Sequence, residues 1–348
     1  MSLASTIVSF GDWMPDQADL GNMGLTVAEN VIPTDGGYVP YVPLVAGSST
    51  AIAGVNGAYP YANSNPTSGA VVYGLVAGNQ STLFIINPLT NVFQTVGGAY
   101  TSSEYWRFAQ FDNVIIGTNA VDLPQRFTIG SSASVLGSAP GTAPAAQHVA
   151  VINQFLVLGD LPGSATGPYT LRWSGINDYD SFPTPNSATA IAQQAGSQIM
   201  PAAGGTVTGI TNGDQFGIVF QRARVSRMSY AGPPAVFSFD PIDIGRGCFY
   251  PNSIVQVGGL AYFASGLGFF VTDGVSVTSI SNEKIDKYFG TLIGASPGTA
   301  IVGAVDYDTK CVMWSLNGTK ILHFNYERKQ WSVANETSDW LVNGIQRS

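Results

Sequence analysis

Short apolar runs separated by turn residues recur along most of the chain, and the stretch from Tyr105 to Gly130 shows their pattern most clearly. Two runs, Trp106 to Phe111 and Val114 to Thr118, flank Asp112-Asn113, and a third run follows Pro124. An Asx pair between β-prone runs indicates a tight hairpin, because both residue types tolerate a positive φ. The middle run does not alternate apolar with polar residues, so we expect both of its faces to be covered. A meander covered on both sides is typical of a β-propeller blade.

Six groups of such runs predict an all-β chain folded as a β-propeller of about six blades. The groups begin near residues 69, 106, 147, 206, 253 and 300, and their spacing of roughly 44 residues matches a four-stranded blade. In the last group, Asn317-Gly318 between MWSL and KILHF is the clearest hairpin signal of the chain. Counts of five or seven blades are also compatible with this pattern.

The segments between the groups are predicted to be mostly irregular. One helix is expected at Asn282 to Phe289, with Ser281 or Asn282 as its cap and Gly290 at its end. Segments 131–146 and 183–203 are rich in Ala, Ser, Gly, Pro and Gln. We interpret both as connections between blades, the second with room for a short helix at 187–197.

Residues 1–66 differ from the rest, so we predict two units: an extended N-terminal arm over 1–66 and the propeller over 67–348. The arm has proline at positions 15, 33, 40 and 43, and proline opposes regular ladders. Its bulky side chains are candidates for a subunit interface: Phe10, Trp13, Met14, Tyr38 and Tyr41. The alternative is a strap that lies on the chain's own propeller. A short strand around Tyr38 to Leu44 is a further candidate, which would close the ring by joining the last blade.

Charge is sparse and mostly negative. Charged residues make up 10% of the chain, the formal net charge is -8, and no Lys, Arg or His precedes Arg107. Ordinary nucleic-acid binding needs basic side chains that displace counterions from phosphates, so this composition argues against it. The N-terminus lacks the basic region of a secretory signal, and no apolar run is long enough to span a membrane. Neither export nor membrane insertion is expected.

Candidate chemistry is limited to residues that also suit turns or strands. Three carboxylate pairs have the composition of a glycosidase site: Asp178 and Asp180, Asp240 and Asp243, and Asp306 and Asp308. Each pair also lies where a turn favours Asp, and we favour that interpretation. His148 and His323 are not accompanied by a nucleophile motif, and Cys248 and Cys311 are interpreted as buried, reduced thiols. We therefore predict no enzyme, no catalytic residue, no metal site and no cofactor.

One basic cluster, Arg222, Arg224 and Arg227 in QRARVSRMSY, is a candidate subunit interface. Positions 222 and 224 would share a face of a strand, where they could bind an acidic partner subunit or a phosphate backbone. A solvated strand face, or pairing with acids of the next blade, is the alternative. We favour a partner subunit over DNA, because a clamp on DNA would oppose its release.

The order of motifs resembles that of structural proteins from bacteriophage tails. The motifs are PDQADLGNMGLTVAENVIPTDGGYVP, WRFAQFDNVIIGTNAVDLPQRF, LRWSGINDYDSF, GIVFQRARVSRMSYAGPP, FDPIDIGRG, PNSIVQVGGLAYFASGLGFFVTDG and ISNEKIDKYF. The chain also resembles, more distantly, the propeller-containing hub or nozzle proteins of short-tailed phages, which are grouped as packaged-DNA stabilisation proteins.

This resemblance implies a tail-tube subunit of the virion. Such subunits work as a homo-oligomeric ring, most often a hexamer, below the portal and adaptor proteins, and DNA passes through the ring without specific binding. A sparse negative charge suits such a lumen, because repulsion keeps phosphates from adhering. The alternative function is a propeller that binds or cleaves glycans during host recognition.

Overall fold

Six antiparallel sheets of four consecutive strands each form a six-bladed β-propeller in the computed structural model. The structure describes residues 11–18, 20–35, 37–45, 50–64, 71–87, 92–101, 104–128, 132–136, 142–293, 301–338 and 340–343. The fold class and the count of six blades predicted from the sequence are confirmed.

Each blade takes its strands in chain order from the axis outward. A separate hairpin precedes the blades and pairs β1 (Val31–Thr34) with β2 (Gly37–Pro40). The strands of the first three blades are β3 (Gly57–Ser64), β4 (Val71–Gly78), β5 (Thr82–Asn87) and β6 (Val92–Gly98); β7 (Arg107–Phe111), β8 (Val114–Thr118), β9 (Gln125–Thr128) and β10 (Ser134–Val135); and β11 (His148–Ile152), β12 (Phe155–Gly159), β13 (Thr170–Trp173) and β14 (Gly196–Ile199). Those of the last three are β15 (Val207–Ile210), β16 (Phe216–Gln221), β17 (Arg224–Gly232) and β18 (Val236–Ile244); β19 (Val255–Val257), β20 (Leu260–Ser265), β21 (Gly268–Thr272) and β22 (Val277–Ser279); and β23 (Ile301–Asp306), β24 (Cys311–Leu316), β25 (Lys320–Asn325) and β26 (Gln330–Ala334).

The hairpin at Asp112-Asn113 forms as its sequence predicts. Phe111 pairs directly with Val114, so the loop has two residues, and Asp112 adopts the positive φ that Asp tolerates. Residues 115–118 of β8 are all buried. The expected cover on both faces of this strand is therefore confirmed.

Apolar side chains from neighbouring blades interlock in five clusters, one for each pair of successive blades. The cluster between the fifth and sixth blades is the largest and is rich in aromatic rings, with Phe269 lying 4.5 Å from Trp314 and 5.3 Å from Trp331 between ring centroids. Such rings bury large apolar areas, so these interfaces supply most of the stabilisation between blades.

The junction between the sixth and first blades is different. Among the described residues, no cluster of buried apolar side chains joins these two blades. Segments from both ends of the chain cover this face of the sixth blade instead: Asn325 donates to the carbonyl of Pro33 (3.0 Å), and the hydroxyl of Ser338 donates to that of Ser315 (2.9 Å). Segments near the two ends of the chain, around Pro33 and Ser338, therefore take the place of direct packing between these blades.

Three local expectations need correction. The first strand of the first blade is β3, which lies before the predicted boundary between residues 66 and 67 and inside the predicted arm. Segments 131–146 and 183–203 are more than connections, since they supply the outer strands β10 and β14. Of the ring-closing strand expected at 38–44, only residues 38–40 are strand, and they belong to the β1-β2 hairpin. Ala28 and Asn30 form backbone hydrogen bonds with Val333 at the edge of the last blade instead.

Two short α-helices occur among the described residues, the first within the third blade between β13 and β14 and the second between the fifth and sixth blades. Helix α1 (Ala188–Gln193) falls in the segment with room for a helix, and the hydroxyl of Ser187 caps it by accepting the amide of Ala190 (3.1 Å). Helix α2 spans Asp286–Ile293 and continues through Gly290, so the predicted bounds at 282 and 289 were wrong. Its N-terminus is capped from the N-terminal segment, because the carboxylate of Asp16 accepts the amides of Lys287 (2.6 Å) and Tyr288 (2.8 Å).

Candidate functional site

The inner strands of the blades surround a narrow space, which we call the axial channel. Its walls come from β3, β7, β11, β15 and β23 and from the turn that precedes β19, and its free volume is about 180 Å³. The described C-terminal residues 340–343 also line this space. Asn343 accepts the amide of Val305 (3.1 Å), and the Trp340 ring lies 5.5 Å from that of Tyr105. The chain thus fills much of its own channel.

Arg107 reaches across this channel from the start of β7. Its Nε donates to Nδ1 of His148 at 3.2 Å, and its Nη1 donates to Oδ1 of Asn252, which precedes β19. This network connects the second, third and fifth blades near the beginnings of their inner strands.

Burial sets the protonation of this network. Desolvation lowers the pKa of the Arg107 guanidinium to about 10, and it holds the pKa of His148 well below its usual range, with a further contribution from the charge of Arg107. His148 is therefore neutral at pH 7 and can accept a hydrogen bond at Nδ1. Within the described chain, no carboxylate forms an ion pair with Arg107.

The N-terminal strap, defined as the described residues between 11 and 45, lies on the last two blades. Trp13 is only 2% exposed, contacts the ring of Tyr288 at 5.0 Å, and donates from Nε1 to the carbonyl of Thr26 at 3.1 Å. Tyr38 packs against the same core, and burial raises the pKa of its hydroxyl to about 12. The interface candidates Trp13 and Tyr38 are thus used within the chain, as in the strap alternative.

The remaining interface candidates of the arm have separate surroundings. Met14 is partly exposed, and its backbone pairs with that of Leu25 (2.9 Å). The Tyr41 ring lies 5.5 Å from the ring of His323. Phe10 lies outside the described residues.

The outer side of the strap carries apolar side chains that sequence reasoning missed. Leu20 is 98% exposed and Met23 is 94% exposed. Further exposed apolar residues of the strap are Val27, Val39, Val42, Leu44 and Val45. Because the strap has no regular period, the sequence alone gives no sign of which apolar residues face outward.

The three arginines of QRARVSRMSY do not form one cluster. Arg222 lies in the turn between β16 and β17, so it does not share a strand face with Arg224, and its guanidinium covers the ring of Phe249 at 4.2 Å. Arg224 donates to the hydroxyl of Ser226 at 3.2 Å, and Arg227 covers the ring of Phe216 at 4.0 Å. Each arginine therefore has its own partner within the chain.

The candidate carboxylates take part in turns and ion pairs. Asp180 pairs with Arg126 at 2.6 Å, and Asp243 pairs with Arg246 at 2.9 Å. Asp178 accepts the amide of Asp180. In the last blade, Asp306 accepts the amide of Asp308 (3.0 Å) and the hydroxyl of Thr309 (2.7 Å), and Asp240 accepts a long hydrogen bond from Ser238 (3.5 Å). The turn interpretation fits the pairs at 178/180 and 306/308, but it was wrong for Asp240 and Asp243, which both lie within strand β18.

Asp160, at the end of β12, is a carboxyl that sequence reasoning missed. Burial raises its pKa to about 6, and the charge of Glu104 adds to this shift. The two cysteines are both free and buried, and burial raises the pKa of each thiol to about 12. Such thiols are poor nucleophiles at neutral pH.

A groove of about 380 Å³ lies between the fifth and sixth blades. It is lined by Tyr262, Phe324 and Tyr326 together with polar residues, among which are Asp273, Asn282 and Lys329. Tyr262 and Phe324 are buried, so Tyr326 supplies most of the aromatic surface that a ligand could reach.

Neither a cluster of metal-binding side chains nor a membrane-spanning helix is found within the described chain. No set of three or more His, Cys, Asp or Glu residues within it is placed to hold a metal ion. None of its helices has the length and apolar character needed to cross a bilayer. Comparison of the sequence with models of known protein families and with curated proteins finds no match.

Proposed function

We propose that this chain is a structural subunit of a phage tail tube, of the hub or nozzle type, which assembles as a ring around the passage for DNA. The observation that carries the proposal is the N-terminal strap, which is fixed on its inner side and apolar on its outer side. Exposed patches made of several apolar side chains mark surfaces that bind other proteins. The outward residues Leu20 and Met23 are the core of the proposed interface.

The way in which the strap is fixed supports this role. Trp13 is buried, Lys284 forms an ion pair with Asp12 at 2.7 Å, and Asp16 caps helix α2. A surface that is ordered before assembly loses less conformational entropy on binding. The strap therefore presents its apolar side chains in a preorganised form to a neighbouring subunit.

The axial channel gives a geometric reason for a ring. A space of about 180 Å³, lined in part by the chain's own residues 340–343, is far too small for a DNA duplex. A passage for DNA therefore has to be built between subunits, and identical subunits that join head to tail can close into such a ring. In this proposal the adaptor and portal proteins are the other partners, and the virion tail is the location.

Mutation of the apolar side chains on the outer side of the N-terminal strap tests this proposal. Leu20→Ser with Met23→Ser is expected to leave the circular dichroism spectrum and Tm unchanged but to abolish rings seen by native mass spectrometry in the presence of adaptor protein. Val275→Ser is the matched control, since Val275 is also exposed (72%) but lies on the fifth blade. Rings that persist in the double variant, or a wild-type chain that stays monomeric and is absent from virions, would end the proposal.

The groove between the fifth and sixth blades favours a second candidate, a propeller that binds glycans. An accessible tyrosine next to amide, carboxylate and ammonium groups is suited to a sugar, which offers an apolar ring face and hydroxyl groups. A glycan array probed with the wild-type chain and with Tyr326→Ala distinguishes the two candidates. Binding that the variant loses would favour the glycan function, and silence of the wild-type chain would remove it.

A further inference from the structure

Among the described residues no carboxylate forms an ion pair with Arg107 at the centre of the propeller, and the charge of Glu104 acts on it without such a contact. The Arg107 guanidinium lies against the axial channel, and the described residues that line this channel include no Asp or Glu. Arg107 is only partly exposed, and a cation partly withdrawn from water is stabilised by a counter-ion in contact with it.

The hydrogen bonds of Arg107 leave donors for such a counter-ion. A guanidinium has five N–H donors, and the bonds to His148 and Asn252 use two of its nitrogen atoms. Oδ1 of Asn252 accepts a hydrogen bond from Arg107, and Oδ1 of Asn343 accepts one from the amide of Val305. The side-chain NH2 groups of both asparagines therefore remain as donors. These three residues all line the same cavity.

The cavity has room for a small ion. Its volume of about 180 Å³ is far more than the ~10–15 Å³ that one water needs. A tetrahedral oxyanion offers several acceptors at once, and the planar guanidinium can donate to two of them in parallel.

We propose that the axial channel binds a small inorganic oxyanion, such as phosphate or sulfate, between the guanidinium of Arg107 and the side-chain amides of Asn252 and Asn343. The bound anion would join the second and fifth blades to the C-terminal segment. This site is independent of the proposed role in the phage tail, because it concerns the axis of one propeller rather than the contact between subunits.

The test measures the thermal stability of the full chain in phosphate or sulfate against chloride, at millimolar concentration and constant ionic strength. Wild-type protein is expected to show a Tm increase that saturates with oxyanion concentration, and isothermal titration calorimetry should give one site per chain. Arg107→Gln should lose this response. Arg328→Gln is the matched control, because Arg328 is an exposed arginine paired with Asp35 at 2.8 Å, and it should keep the response.

A second variant covers the case in which Arg107→Gln does not fold. Asn252→Asp keeps the shape of the side chain and places a carboxylate beside Arg107, so the protein supplies its own counter-ion. We expect this variant to fold and to lose at least tenfold in oxyanion affinity. No saturable response in the wild-type chain, or the same response in wild-type and Asn252→Asp protein, would overturn the proposal.

Discussion

Replacement of Trp13 by alanine tests how firmly the strap belongs to the propeller. The ring is 2% exposed, packs on Tyr288, and donates one hydrogen bond to Thr26. Truncation of a buried Trp to Ala costs ~3–5 kcal/mol, because the transferred area and the packing contacts are both lost. This is a large fraction of the roughly 5–15 kcal/mol by which a domain is stable.

The expected shift in Tm follows from the size of the chain. An unfolding entropy of about 2.1 cal/mol/K per residue gives roughly 0.7 kcal/mol/K for this chain, so the loss lowers Tm by ~4–7 °C. Far-UV circular dichroism measures Tm, and limited proteolysis should show faster cleavage within the strap.

The control for this experiment lies on the same strap. Leu20→Ala removes a side chain that is 98% exposed, and surface changes of this kind stay within about 0.5 kcal/mol. If Trp13→Ala had the same Tm and the same proteolysis pattern as Leu20→Ala, the strap would not be part of the core, and the account of the interface would lose its basis.

Three further predictions concern single contacts. At acid pH, the His323→Leu variant should be more stable than wild-type protein. Burial lowers the pKa of His323 to about 4, so between about pH 6.5 and 4 the unfolded wild-type chain binds a proton that the folded chain does not. Wild-type protein therefore loses roughly 3 kcal/mol of stability as the pH falls through this window. Denaturation by urea across this pH range should show that loss reduced in the variant, and an unchanged pH profile would refute it. Asp16→Ala should cost ~1–2 kcal/mol and speed proteolysis of the strap, because helix α2 loses its cap; an unaltered cleavage rate would contradict this. Removal of residues 340–348 should leave the circular dichroism spectrum of the propeller intact while lowering stability by ~1–2 kcal/mol, because the amide of Val305 loses its acceptor. A truncated chain that fails to fold would show that residues 340–343 do more than line the channel.

The fold could be predicted where the hydrophobic pattern is strong. Buried strands such as β8, β12 and β20 read as apolar runs bounded by turn residues, and these runs repeat at the spacing of a blade. The strands that were missed lack this signal. Strand β3 contains Pro60, which opposes a strand assignment, and β10 and β14 are short outer strands whose side chains are mostly exposed.

The candidate site could be predicted only in part. Arg107 and Asn252 are 145 positions apart, and only the closure of the blades around one axis brings them together. The arm was recognised from its prolines and aromatic residues, but Trp13 faces inward and Leu20 faces outward. Without a regular period, the direction of each side chain follows from tertiary packing rather than from the local sequence.

The most direct test of the proposed function is a cryo-electron microscopy reconstruction of virions from a phage that encodes this chain. We predict that the propeller fits the tail density as a closed ring below the adaptor, with the outer strap at the contact between subunits and Leu20 and Met23 buried there. A reconstruction that lacks this chain, or one that holds it as isolated copies with the strap exposed, would contradict the proposal.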